Sequence, residues 1–142
     1  MNAVNQRVRR RVFTGLMAVP RCHTGTHAVE IPIRRLQRDV SVSLEMLGNV
    51  LVAQGDLAGA RSRYPDSLDI AKRLAAANPS SASLQRDVWV SMWNLASTGG
   101  TGVTWQQVVD AMEDMQRRGV LQPVDVRFLD EARRKALSAP AR

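Results

Sequence analysis

The side chains best suited to chemistry lie close together near the start of the chain, where Cys22, His23 and His27 fall within six residues. A thiol beside two imidazoles is the makings of a zinc site or of a Cys/His nucleophile pair. A structural zinc ion needs four ligands, and the chain has no second cysteine and no third histidine to complete the set. A nucleophile pair needs a third group to orient its base, and the surrounding stretch shows no regular element to hold one. The spacing also matches no metal-ligand pattern. Glu113 and Asp114 offer neighbouring carboxylates, but Arg117 stands at i+4 and i+3 from them, the pattern of a solvated helix face. Gly99-Gly100-Thr101-Gly102 has the glycine content of a phosphate loop. It follows a helix and lacks the Lys-Ser/Thr such a loop needs, so it reads as a turn. No catalytic residue, metal ligand or cofactor is assigned, and the chain is read as a non-enzyme.

The charge belongs to one segment. Of 142 residues, 20 are Lys or Arg and 13 are Asp or Glu, a formal net charge of +7. Residues 1–38 hold eight arginines against the single acid Glu30, and from residue 39 onward basic and acidic residues balance. Arg7, Arg9, Arg10 and Arg11 form a run that nucleic acid or an acidic lipid surface would attract. No aromatic interleaving and no recognition-helix pattern accompany it, so nucleic acid is ranked well below a protein partner. Eighteen of the 20 basic residues are arginine, a bias that reads as genome composition.

Residues 1–35 contain Gly15, Pro20, Gly25 and Pro32 and show no sustained helical period. The apolar stretch from Val12 to Val19 behind the arginines has the outline of a signal peptide. Thr14 and Gly15 interrupt it, and Arg21 before Cys22 argues against a lipoprotein site. The reading is a basic, poorly ordered extension, and the expected location is the cytoplasm. No stretch approaches the roughly 18 apolar residues of a membrane-spanning helix. A single cysteine excludes an internal disulfide. Aromatics at 4%, with Ala, Val and Leu supplying most of the apolar surface, favour helices over a β-sandwich.

From Leu36 a helical period sets in. Leu36, Val40, Leu44, Leu47 and Leu51 share one face and are expected to point inward. Gly55 suits a left-handed turn and Asp56 a cap for a second helix over 57–77. That helix would bury Leu57, Ala60, Tyr64, Leu68, Ala71, Leu74 and Ala75. Pro65 lies inside it, where a lost hydrogen bond costs about 3 kcal/mol, so a bend or break is expected near Arg61–Pro65. Asn78-Pro79-Ser80-Ser81 ends it and caps a third helix carrying Leu84, Val88, Met92 and Leu95. Thr104-Trp105-Gln106-Gln107 is a capping box, with Val103 and Val108 as its hydrophobic staple. The fourth helix should stop near Arg118 at Gly119, and Pro123 fits the first position of a fifth, ending near Leu137.

The sequence also repeats itself. Leu36-Gln37-Arg38-Asp39-Val40 recurs 48 residues later as Leu84-Gln85-Arg86-Asp87-Val88, and Val42 and Ser43 recur as Val90 and Ser91. Each unit is helix–turn–helix, and two units stack. With Leu44, Leu47-Gly48 and Leu51 on the first helix, Ala60, Tyr64 and Ser67 on the second, and the turn Ala53–Ala60, the chain resembles the tetratricopeptide repeat (TPR) family in its longer bacterial form. Met92, Leu95-Ala96, Ala111 and Met115 match in the second unit. The resemblance spans about 36–118. It implies an all-α fold, a TPR-like α-solenoid fragment of about two repeats with the fifth helix as a C-terminal cap. Residues 1–35 form the extension, 36–138 the repeat domain and 139–142 a tail.

Trp89 and Trp93, one helical turn apart, share a stripe beside the core face of the third helix. They could pack on the fourth or fifth helix or anchor a partner peptide. The resemblance implies a concave groove lined by the first helices, at Val42, Glu45, Asn49, Val52, Val90, Trp93 and Ser97. Glu45 stands where clamping a partner's carboxyl terminus would want a cation. The function implied is a non-catalytic protein-interaction scaffold that docks a protein or peptide segment on that face. Three stacked repeats are usually needed for stability, so self-association is a second way to complete the core. Competing readings are the C-terminal remnant of a larger multi-repeat regulatory protein and, third, nucleic-acid binding through the arginine run.

Overall fold

The structure, a computed structural model, describes residues 25–99 and 102–139, with side chains from Ile33 onward. The chain divides into two units, residues 1–30 and 31–142, and all the described side chains belong to the second. The fold is all-α: α1 (Gly25–Ala53), α2 (Leu57–Ala77), α3 (Ala82–Thr98), α4 (Trp105–Arg117) and α5 (Val126–Ser138), with a 3-10 turn at Pro123–Asp125. There is no strand among the described residues.

The helix ends follow local chemistry. Asp56 caps α2 by accepting from the Gly59 amide at 2.8 Å. Ser81 caps α3 through the Leu84 amide at 3.4 Å. At α4 both halves of the capping box form: Thr104 Oγ1 accepts from the Gln107 amide at 3.3 Å and Gln107 Oε1 from the Thr104 amide at 2.9 Å. Reciprocal bonds of this kind satisfy two donors that a helix start otherwise leaves open. Gly119 stops α4 with φ at 68°, a conformation that costs a glycine nothing. The open carbonyl of Thr98 at the end of α3 accepts from the Arg61 guanidinium, at 3.1 and 2.6 Å, which ties α2 to α3 far from their shared loop.

Two expectations about helix extent change. Helix α1 begins at Gly25 and not at Leu36, so it reaches into the stretch expected to be poorly ordered. Pro32 lies within it and supplies no amide to the Ala28 carbonyl, so the helix crosses one missing bond there. Helix α2 runs unbroken through Pro65. The Arg61 carbonyl loses the amide that would reach it from position 65. Ala60 and Tyr64 before the proline, and Ser67 and Leu68 after it, are all buried, so packing on both sides holds the helix together.

Burial centres on α3. Trp89 joins Val108, Val109, Met112, Met115, Leu129 and Ala132 of α4 and α5 in one apolar cluster. Leu95 joins Ala60, Tyr64 and Leu68 of α2 in a second, with Leu51, Val88 and Met92 packed on it. The inward residues expected for α2 are buried, except Leu57, which is exposed.

Candidate interaction surface

Of the five residues expected to point inward from the first helix, Leu51 packs on the second cluster and Leu44 is half-buried, but the other three are exposed. Ser41 and Gly48 are buried and Glu45 is half-buried, while Leu36 is 62% exposed, Val40 51% and Leu47 44%. The spacing 41, 45, 48 is itself a helical stripe. Gly48 is there because the Tyr64 ring of α2 lies across it: a Cβ at that position would come within 2.8 Å of Cζ and 2.9 Å of Cδ1. Close approach of two backbones is the use of a helical glycine here.

The inward stripe is polar and bonded. Ser41 Oγ donates to the Ser67 carbonyl at 3.1 Å. Glu45 Oε1 accepts from Ser67 Oγ at 3.2 Å and from Ser91 Oγ on α3. Tyr64 Oη donates to Asn49 Oδ1 at 2.8 Å. A buried carboxylate is costly unless such donors reach it. Burial still pushes the Glu45 carboxyl above its ordinary range. The Asp87 charge pushes the same way, while the two serine bonds and Arg86 oppose it. Burial and the Glu45 charge likewise raise the Tyr64 phenol.

Two ion pairs tie α3 to α1 and to the turn before α5. Arg38 of α1 reaches Asp87 of α3, with Nε at 2.6 Å from Oδ2 and Nη2 at 3.1 Å from Oδ1. That contact raises the Arg38 guanidinium further. Arg86 of α3 holds Asp125, its Nε at 2.9 Å from Oδ2; the arginine side chain is 41% exposed and the aspartate 0%. The Arg86 guanidinium also lies over the Trp89 ring, 5.5 Å from its centre.

The seven groove candidates do not act as one set. Glu45 Oε1 is bonded to α2 and α3, and Asn49, an exposed residue, gives its Oδ1 to Tyr64 of α2. Val90 and Trp93 pack against the α3–α4–α5 cluster. Val42 is half-buried, and Val52 and Ser97 are exposed. Trp93 meets Trp105 edge-on at 4.9 Å and Phe128 at 5.8 Å, with the Lys135 ammonium 5.9 Å over its ring. Trp89 is buried against Phe128 at 5.7 Å, so both tryptophans serve the packing of the later helices. Glu113 pairs with Arg133 of α5 at 2.8 Å in place of Arg117, and Asp114 takes Arg117 and Arg118 at 3.3 and 2.7 Å. Cys22, His23 and the run Arg7–Arg11 lie outside the described residues, as does the His27 side chain. Among the described residues no group of three His, Cys, Asp or Glu side chains is placed to hold a metal ion, and no helix is long and apolar enough to cross a membrane.

What remains is the outward face of α1. Leu36, Asp39, Val40, Ser43, Leu44 and Leu47 line an open groove of about 360 Å³. Met46 and Val50 extend the exposed apolar surface beside it. Comparison with family models, curated proteins and solved structures finds no match for this chain.

Proposed function

We propose that this chain is a non-catalytic interaction scaffold, a TPR-like stack of helical hairpins that docks a protein segment on the outward face of α1. The observation that carries this reading is the exposed apolar stripe at Leu36, Val40 and Leu47. Helices α2 to α5 supply all the buried residues of the two clusters, whereas α1 only rests Leu51 on one of them and presents a groove with an acid at its edge. Contiguous exposed apolar surface rimmed by polar residues is the mark of an interaction site. Trp93 is held by Trp105, Phe128 and Lys135, so α1 takes over the anchoring role that the sequence assigns to the tryptophan.

The test is site-specific photo-crosslinking in cells that express the chain. A benzophenone side chain at Leu36 should give discrete adducts that a benzophenone at Arg134, on the exposed side of α5, does not give. Val40→Asp should remove those adducts while leaving the thermal melt in place. Identical adduct patterns from both positions would contradict the reading.

A further inference from the structure

We propose that the groove on α1 receives one helix of the α2 kind, presented by a helical hairpin of a partner protein whose first helix carries an arginine to Asp39. This rests on the scaffold reading and names the partner for the same surface.

The internal repeat points to the occupant. Shifted by 48 residues, Leu36, Asp39, Val40, Ser43, Leu44 and Leu47 become Leu84, Asp87, Val88, Ser91, Met92 and Leu95. The first set lines the open groove. In the second set Val88, Met92 and Leu95 pack on Ala60, Tyr64 and Leu68 of α2, and Leu84 faces Leu74 and Ala77 further along the same helix. The face that is open on α1 is therefore filled on α3, and α2 fills it. Leu47 is 44% exposed where its counterpart Leu95 is 2%. Local geometry repeats as well: Ser43 Oγ lies 2.7 Å from the Asp39 carbonyl, and Ser91 Oγ 3.1 Å from that of Asp87.

The ion pairs extend the argument to charge. Asp87 takes Arg38 from the first helix of the unit before it. Arg86, the counterpart of Arg38, reaches forward to Asp125. Each arginine thus serves an acid further along the chain, 49 residues on for Arg38 and 39 for Arg86, the second in the turn before α5. Asp39, the counterpart of Asp87, is exposed and makes no ion pair among the described residues. A partner that continues the series supplies the missing arginine. Its second helix presents a small residue, an aromatic and a leucine at i, i+4 and i+8, as Ala60, Tyr64 and Leu68 do.

A second copy of this chain does not offer that helix. Its own α2 is engaged by α3 through Leu68 and Tyr64 and by α1 through Ser67. The exposed side of its last helix sets Arg127, Asp130 and Arg134 between Val126 and Leu137, so it has no run of small residue, aromatic and leucine like that of α2, and its hydrated charges are costly to bury on a leucine groove.

The test uses the full chain with residues 34–81 duplicated in tandem ahead of Arg34, so that the chain's own hairpin is the probe and docks intramolecularly. The expected result is one cooperative transition, with the midpoint raised by roughly 5 °C or more. Val40→Asp in the copy joined to α3 should then lower that midpoint, although the same change in the natural chain does not. Arg38→Ala in the added hairpin and Asp39→Ala in the copy behind it should be non-additive. Two separate transitions, or an unchanged midpoint with Val40→Asp silent, would overturn the proposal. So would a midpoint of the natural chain that rises with concentration, since a second copy would then be the occupant. Position-specific crosslinks at Leu36 combined with a silent duplication would leave the scaffold reading in place and remove this partner alone.

Discussion

Glu45 is the residue whose chemistry the fold perturbs most visibly. Its carboxyl holds its proton to higher pH in the folded chain than in the unfolded one, chiefly because it is buried. The stability it contributes is complete below the unfolded carboxyl range and is lost as pH rises through the raised folded value. Glu45→Gln removes the burial penalty and keeps an oxygen for Ser67 and Ser91. Thermal melts should show this variant above the parent at neutral pH, with the gap closing in mildly acidic buffer. A second expectation concerns Arg86 and Asp125. Removing the arginine strands a fully buried carboxylate, whereas removing the charge at Asp125 releases a partly exposed arginine to water. Denaturant unfolding should give a loss of roughly 3 kcal/mol for Arg86→Ala and about 1 kcal/mol for Asp125→Asn. Gly48→Ala sets two effects against each other. Alanine is favoured in a helix by about 1 kcal/mol, but its Cβ would enter the Tyr64 ring, and overpacking of that kind costs about 1–3 kcal/mol. The ring is fixed by its bond to Asn49, so the net effect should be a loss.

At the scale of elements, what could be read in the sequence was what is encoded locally. The capping box at Thr104, the aspartate cap at Asp56 and the glycine stop at Gly119 depend on residues three or four apart, and all form. The inward face of α1 could not be read the same way. Leu36, Val40 and Leu47 match Leu84, Val88 and Leu95 of α3, and the neighbours differ: among the described residues α3 lies between α2 and α4, while α1 packs on α2 along its Ser41 face. The face of α1 toward α2 is Ser41, Glu45 and Gly48. Those positions replace Trp89, Trp93 and Ala96 of the second unit, and that substitution of small and polar residues for large apolar ones is the signal the sequence did carry. Arg38–Asp87 and Arg86–Asp125 are long-range pairs that no local pattern exposes. Pro65 belongs to this scale too. It sits in an unbroken helix at an exposed position, so Pro65→Ala should restore a bond to the Arg61 carbonyl. A gain of about 1–3 kcal/mol is expected in chemical unfolding, accompanied by slower unfolding.

Among the described residues, α2 to α5 supply the buried residues of two apolar clusters, and α1 leaves an apolar groove open. The apolar residues of that groove have the composition of a core and the exposure of a surface. The most direct measurement is a matched pair of substitutions, Leu47→Asp and Leu95→Asp, at the same repeat position, followed by thermal unfolding of each full chain. If α1 presents an open docking face, Leu47→Asp leaves the midpoint within a degree or two of the parent. Leu95→Asp, which places a charge where α2 and α3 meet, should cost roughly 4 kcal/mol or more and abolish the cooperative transition. Equal damage from both would mean that the leucine stripe of α1 is already buried in solution, and would contradict the account.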